Sequence, residues 1–189
     1  MRRMLPLGLA IGLLPTVAAA SAPCPAWRER QTMDCMRGYL RVDPAAFVLA
    51  AGSRPGGAIG ASFGAFRARD GFAAAFGLRA GYEMVDRHAH GFDRTLHASP
   101  ELRLGAVNRR AFGYMLFRGG YSHRFDAGRA RLDFGGAADA YHYGMGVGIW
   151  GRVGRRFLIG AEGVIDMVQF KGKGVSETLF LSLTLGSWL

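Results

Sequence analysis

Past Val17, this chain has no apolar run long enough to cross a membrane as a helix, which takes about 20 residues, so a helical membrane protein is excluded. It has only two lysines, Lys171 and Lys173, and only two cysteines, Cys24 and Cys35. It contains no internal repeat longer than a hairpin and no low-complexity linker, so no second domain or repeat array is expected. No phosphate-binding glycine loop is present and no metal-ligand spacing is strong, which leaves few routes to cofactor chemistry, and no cofactor or metal is expected. With lysine so scarce, the formal charge of +10 and the isoelectric point near 10.6 come almost wholly from arginine. What the chain does have is 29 glycines, 12% aromatic residues and a hydrophobic fraction of 50%. Without long apolar runs, that fraction must be spread by alternation, which is how a β-barrel spreads it.

The N-terminus carries an export signal. Arg2 and Arg3 form a charged start, Met4 to Val17 an apolar stretch broken by Pro15, and Ala18-Ala19-Ala20 a small-residue cleavage site. A signal peptide over residues 1–20 leaves about 169 residues, a length that suits one domain. Cleavage after Ala22 would put Pro23 first in the mature chain, and that same proline argues against Cys24 as a lipidation site. A basic protein ordinarily suggests nucleic acid, but export removes that partner. Anionic lipopolysaccharide or phospholipid headgroups are the more natural counter-charge. Residues 21–43 read as a short periplasmic segment. Cys24 and Cys35, in an exported chain, are expected to form a disulfide within it, with free thiols as the alternative.

From residue 44 to 189 the chain reads as strands separated by charged or glycine-rich punctuation. The expected strands are 46–52, 57–67, 72–84, 96–107, 111–124, 141–151, 157–169 and 176–189. The clearest is the third: Phe72, Ala74, Phe76, Leu78, Ala80, Tyr82 and Met84 share one face, and alanines, glycines, Arg79 and Glu83 the other. Pro100 is expected to force a bulge or a later strand start near Glu101. The faces of 111–124 stay open, because Gly119-Gly120 could carry a parity-changing bulge. Eight strands place both ends on the periplasmic side, and short turns at 69–71, 108–110 and 152–156 alternate with longer loops at 86–95 and 126–139.

The last strand puts Leu179, Leu181, Leu183, Leu185 and Leu189 on one face and Thr178, Ser182, Thr184 and Gly186 on the other. Such a terminal strand, closing on Trp188 and Leu189, resembles the C-terminal assembly signal of bacterial outer-membrane β-barrels. Leucine stands where that signal usually has phenylalanine. The resemblance implies recognition by the barrel-assembly machinery through Leu181, Leu183, Leu185, Trp188 and Leu189. The whole is similar in architecture to the OmpA/OmpX-like group: an all-β, single antiparallel up-and-down transmembrane barrel in the bacterial outer membrane.

Inward faces then carry Arg79, Glu83, Glu101, Arg103, Glu162 and Asp166. An eight-stranded barrel is only just wide enough for its side chains, so these charges should pair across the lumen. Glycines at 77, 81, 144, 146 and 148 either make room for arginines or leave a narrow pore. All five histidines lie in or beside the longer loops. His88 and His90, with Asp86 and Asp93, have the donor types of a divalent metal site, but the spacing is weak evidence and solvated loop histidines are the favoured reading. His97-Ala98-Ser99 resembles the H-x-S spacing of the lipid A deacylase family, which implies a serine activated by histidine. Here Pro100 follows the serine, and parity turns both groups toward the lumen, away from lipid. A non-enzymatic envelope protein is the leading expectation, with a passive pore or a lipid-modifying enzyme as alternatives.

Overall fold

The structure is a computed structural model that describes residues 37–50, 55–69, 71–86, 92–108, 110–125, 139–154, 156–170 and 175–189. The alternating segments form eight antiparallel strands: β1 (Arg37–Ala50), β2 (Gly56–Arg69), β3 (Phe72–Asp86), β4 (Phe92–Val107), β5 (Ala111–Arg124), β6 (Asp139–Val153), β7 (Phe157–Phe170) and β8 (Val175–Trp188). Each strand pairs with its neighbours in sequence and β8 pairs with β1, so the sheet closes and has no edge. The tight turns have local causes. Gly71 and Gly154 adopt positive φ, which glycine tolerates without a steric cost. Asn108 accepts hydrogen bonds at 2.8 Å from the backbone N–H groups of Arg110 and Ala111, which folds the β4–β5 turn.

Three expectations about the strands change. β1 begins at Arg37, not Ala46, so residues 37–43 belong to the barrel and not to a lead-in segment. Its register slips by one residue beside Pro44, between Asp43 and Ala46 against β2 and between Val42 and Ala45 against β8. That bulge accommodates a residue with no N–H to give. Pro100, by contrast, lies inside β4 without a bulge. The register is continuous against β3, where Pro100 faces Leu78, and the pairing with β5 lapses only at Ser99 and Pro100 before resuming unshifted at Glu101. Likewise β5 keeps one parity throughout, with Gly119 and Gly120 in unbroken register against Tyr143 and His142. Residues 92–95, expected in a loop, belong to β4. The leader, Cys24, Cys35, His88 and His90 lie outside the described residues.

The outer wall is apolar. Phe76, Val147 and Leu183 are 58%, 64% and 61% exposed, in a belt of leucine, isoleucine, valine and methionine that runs around the ring. Exposed aromatics bound the belt, with Phe72 and Phe157 at the short-turn end and Tyr82, Tyr121, Tyr141 and Tyr143 toward the other. Phe72 and Tyr82 stand ten residues apart on β3. At about 3.3 Å per residue and a tilt of about 40°, that separation spans about 25 Å of height, the thickness of the apolar band of outer-membrane barrels. Water-soluble monomers avoid so continuous an apolar surface.

Candidate functional site

The lumen is where the buried polar side chains of the described residues gather, and it is layered. At the short-turn end, Tyr39, Phe66, Phe112, Tyr114, Trp150 and Trp188 pack into an aromatic floor and are each at most 5% exposed. Their rings meet mostly edge to face, as in Tyr39–Trp150 and Phe66–Phe112, both at 5.2 Å between centroids. The space comes from small residues opposite them. A Cβ at Gly77 would strike the Tyr39 hydroxyl, and one at Gly148 would lie 2.6 Å from Cζ of Tyr114. Those two glycines therefore seat aromatic rings.

Above the floor lies an ionic layer with equal numbers of each sign. Arg41, Arg79 and Arg103 face Asp43, Glu101 and Glu162, all buried. Arg41 donates from Nη1 and Nη2 to both oxygens of Glu162 at 2.7 and 2.9 Å, and from Nε to Ser62 Oγ at 2.6 Å. Arg103 forms a matching fork with Glu101, two residues away on the same strand, at 2.6 and 2.9 Å, and reaches Glu162 at 3.3 Å. Arg79 donates to Asp43, whose other oxygen accepts from Thr184 Oγ1 at 2.8 Å. Glu162 also accepts from the Tyr114 hydroxyl at 3.0 Å. The Arg103 and Arg41 guanidinium carbons lie 5.0 and 5.6 Å from the Trp150 ring, which ties the ionic layer to the floor. Buried charges need this density of partners, because desolvation outweighs any single pairing.

Toward the opposite end, Arg118 and Asp166 form a buried pair at 2.6 Å, with the guanidinium over the Phe180 ring at 4.8 Å. Beside them runs a histidine–serine chain. Ser122 Oγ lies 2.8 Å from Nδ1 of both His97 and His142, and His97 Nε2 lies 3.1 Å from a Glu83 oxygen. The cavity next to this cluster measures about 10 Å³ and is lined by residues that include Arg79, His97, Ser99, Arg118, His142 and Asp166. That is room for about one water.

Of the six charges assigned to the lumen from sequence, Arg79, Glu101, Arg103 and Glu162 meet in one layer, Asp166 joins Arg118, and Glu83 meets His97. Ser99 is buried in the lumen, but the partner of His97 is Ser122 on the next strand. In the terminal strand, Leu181, Leu183, Leu185 and Leu189 face outward, whereas Trp188 turns inward against Phe66, with ring centroids at 5.1 Å.

Arg41, Asp43, Arg118, Ser122 and His142 escaped the sequence analysis. The alternation of Tyr39, Arg41 and Asp43 with Leu40 and Val42 was a signal for the first two, hidden because β1 was begun too late. Arg118 needed the parity of β5. The meeting of His97, Ser122 and His142 depends on the register of three strands, which local patterning does not carry.

No protein-family model matches this chain, and no curated protein matches it either. Among solved structures, the outer-membrane enzyme PagL superposes with a TM-score of 0.59 at 12% identity, over 78% of this chain and 97% of that one. The N-terminal β-barrel domain of Pseudomonas aeruginosa OprF gives 0.48 at 13% identity, over 82% and 99% of the two chains. Ail, the attachment invasion locus protein of Yersinia pestis, gives 0.44 at 9%, over 82% and 97%. At these identities the likeness is one of fold, and the chain has the architecture of a small eight-stranded outer-membrane barrel.

Proposed function

We propose that the protein is an exported, non-enzymatic integral barrel of the bacterial outer membrane, with a sealed lumen and a role in envelope structure or surface interaction. The observation that carries this reading is the packed lumen, in which three arginines, three carboxylates and a floor of six aromatic rings are all buried. Its lipid-facing belt makes membrane lipid and lipopolysaccharide its immediate partners. The outward leucines of β8, with Trp188 and Leu189, offer the terminal strand to the assembly machinery, and the leader at 1–20 delivers it. Planar-bilayer recording of the purified protein tests the sealed lumen. The expected result is no unitary conductance above baseline, and steady ohmic steps would replace this reading with a passive pore.

A second reading has one observation in its favour. Glu83, His97 and Ser122 stand in the carboxylate–imidazole–hydroxyl order of serine hydrolases, with the Glu83–His97 contact close at 3.1 Å but without hydrogen-bond geometry. Attack requires a substrate carbon about 3 to 3.5 Å from Oγ. Ser122 is 1% exposed, a second histidine engages its hydroxyl, and the adjoining space holds about one water. These features favour a structural hydrogen-bond chain. Mass spectrometry of lipid A from cells carrying the wild type or Ser122→Ala tests the alternative; a wild-type-specific loss of an acyl chain would establish an enzyme.

A further inference from the structure

The fold sorts charge between the two ends of the barrel. Arg67, Arg69, Arg110, Arg152 and Arg156 are distant in sequence, but β2–β3, β4–β5 and β6–β7 bring them to one end, spaced around the ring by three short turns. In sequence, the three turns at 69–71, 108–110 and 152–156 hold six arginines against a single carboxylate, Asp70. The other end mixes signs, with Arg94 and Arg124 near Asp86, Asp139 and Glu177. Nothing about strand formation or luminal pairing calls for this difference.

The basic end coincides with a membrane interface. Arg67 and Arg69 continue the outward row of β2 that includes Ile59 and Phe63, and Arg69 lies directly across from Phe72. Arg156 immediately precedes Phe157. Phe72 and Phe157 are the aromatic residues that end the apolar belt on this side, 55% and 67% exposed. An arginine at that level can lay its methylenes on the belt and hold its guanidinium at the depth of lipid phosphates. Guanidinium forks match phosphate oxygens in pairs, which a lysine does not reproduce, and this rim is built from arginine alone.

From this we infer that the arginine rim binds the phosphates of anionic phospholipids in the leaflet that meets the short turns, selecting them over zwitterionic lipid. The inference rests on the membrane-spanning reading, which flotation of the protein with vesicles tests separately. Each cation near an anionic lipid surface is worth about fivefold in local preference, and screening weakens it as salt rises.

The test uses the full chain refolded in vesicles of equal phosphatidylglycerol and phosphatidylethanolamine, extracted gently, with bound lipids counted by native mass spectrometry. The wild type should retain phosphatidylglycerol at least about fivefold over phosphatidylethanolamine. The combined variant Arg67→Gln, Arg110→Gln, Arg156→Gln should fall to within about twofold, while Arg94→Gln at the opposite end leaves the ratio unchanged. If the combined variant fails to fold, each single variant should lower the ratio in part. Equal retention of both lipids by the wild type, or full enrichment in the folded combined variant, would overturn the inference. So would loss of binding to isolated peptidoglycan, in place of phospholipid, on removing these arginines. Enrichment seen only with vesicles of phosphorylated lipid A would reassign the rim to the other leaflet and overturn it equally.

Discussion

Glu162 is the hinge of the charge balance inside the barrel, and Glu162→Gln is the substitution that exposes it. The change is nearly isosteric and keeps one acceptor oxygen, so packing around Tyr114 and Trp150 is little disturbed. What disappears is one of the three negative charges that balance Arg41, Arg79 and Arg103, which approach this carboxylate at 2.7, 3.9 and 3.3 Å. A buried guanidinium left without its counter-charge costs about 3 to 5 kcal/mol. Restoring the balance should recover much of this. In Arg41→Gln/Glu162→Gln the layer holds two charges of each sign, so the double variant should cost no more than either single, a coupling of about 3 kcal/mol. Urea unfolding in lipid vesicles, followed by tryptophan fluorescence, reads both quantities, because Trp150 and Trp188 lie in the floor beside the ionic layer. A loss below about 1 kcal/mol in Glu162→Gln, or simple additivity in the double variant, would mean that water reaches the layer and that the lumen is not sealed.

The outer wall should reject charge: Phe76→Arg or Leu181→Arg should each lower stability by about 2 to 4 kcal/mol in the same unfolding assay, and a loss below about 0.5 kcal/mol would place these positions outside hydrocarbon. Two glycines should behave oppositely. Gly77→Ala, where the new methyl meets the Tyr39 hydroxyl, should cost about 1 to 3 kcal/mol by overpacking, whereas Gly113→Ala, with open space around its Cβ, should stay within about 0.5 kcal/mol. Orientation can be read by labelling intact cells with an impermeant thiol reagent, after Cys24 and Cys35 are replaced by serine. A cysteine at Glu177 should react and one at Arg110 should be protected, and the reverse pattern would invert the barrel in the membrane.

Much of this protein is local patterning. Period-2 alternation over Phe72 to Met84, or over Tyr141 to Gly151, separates two faces whatever the rest of the chain does, because successive side chains on a strand point to opposite sides. The strand number, the short turns after Arg69, Asn108 and Arg152, and the outward leucines of β8 were legible for that reason. Proline misled in both directions. Pro44 masked the start of β1, although the strand passes it by a bulge, and Pro100 suggested an interruption that the continuous register does not contain.

Closure of the ring decided the rest. Glu101 and Arg103 are neighbours in sequence, but Arg41 and Glu162 come together only because β8 closes on β1 and leaves β7 one strand away. Cross-strand register likewise gathers Glu83, His97, Ser122 and His142, and the common direction of three hairpins collects the arginines at one end. A strand's own sequence dictates which way a side chain points. What it points at depends on shear and closure, which are properties of all eight strands together.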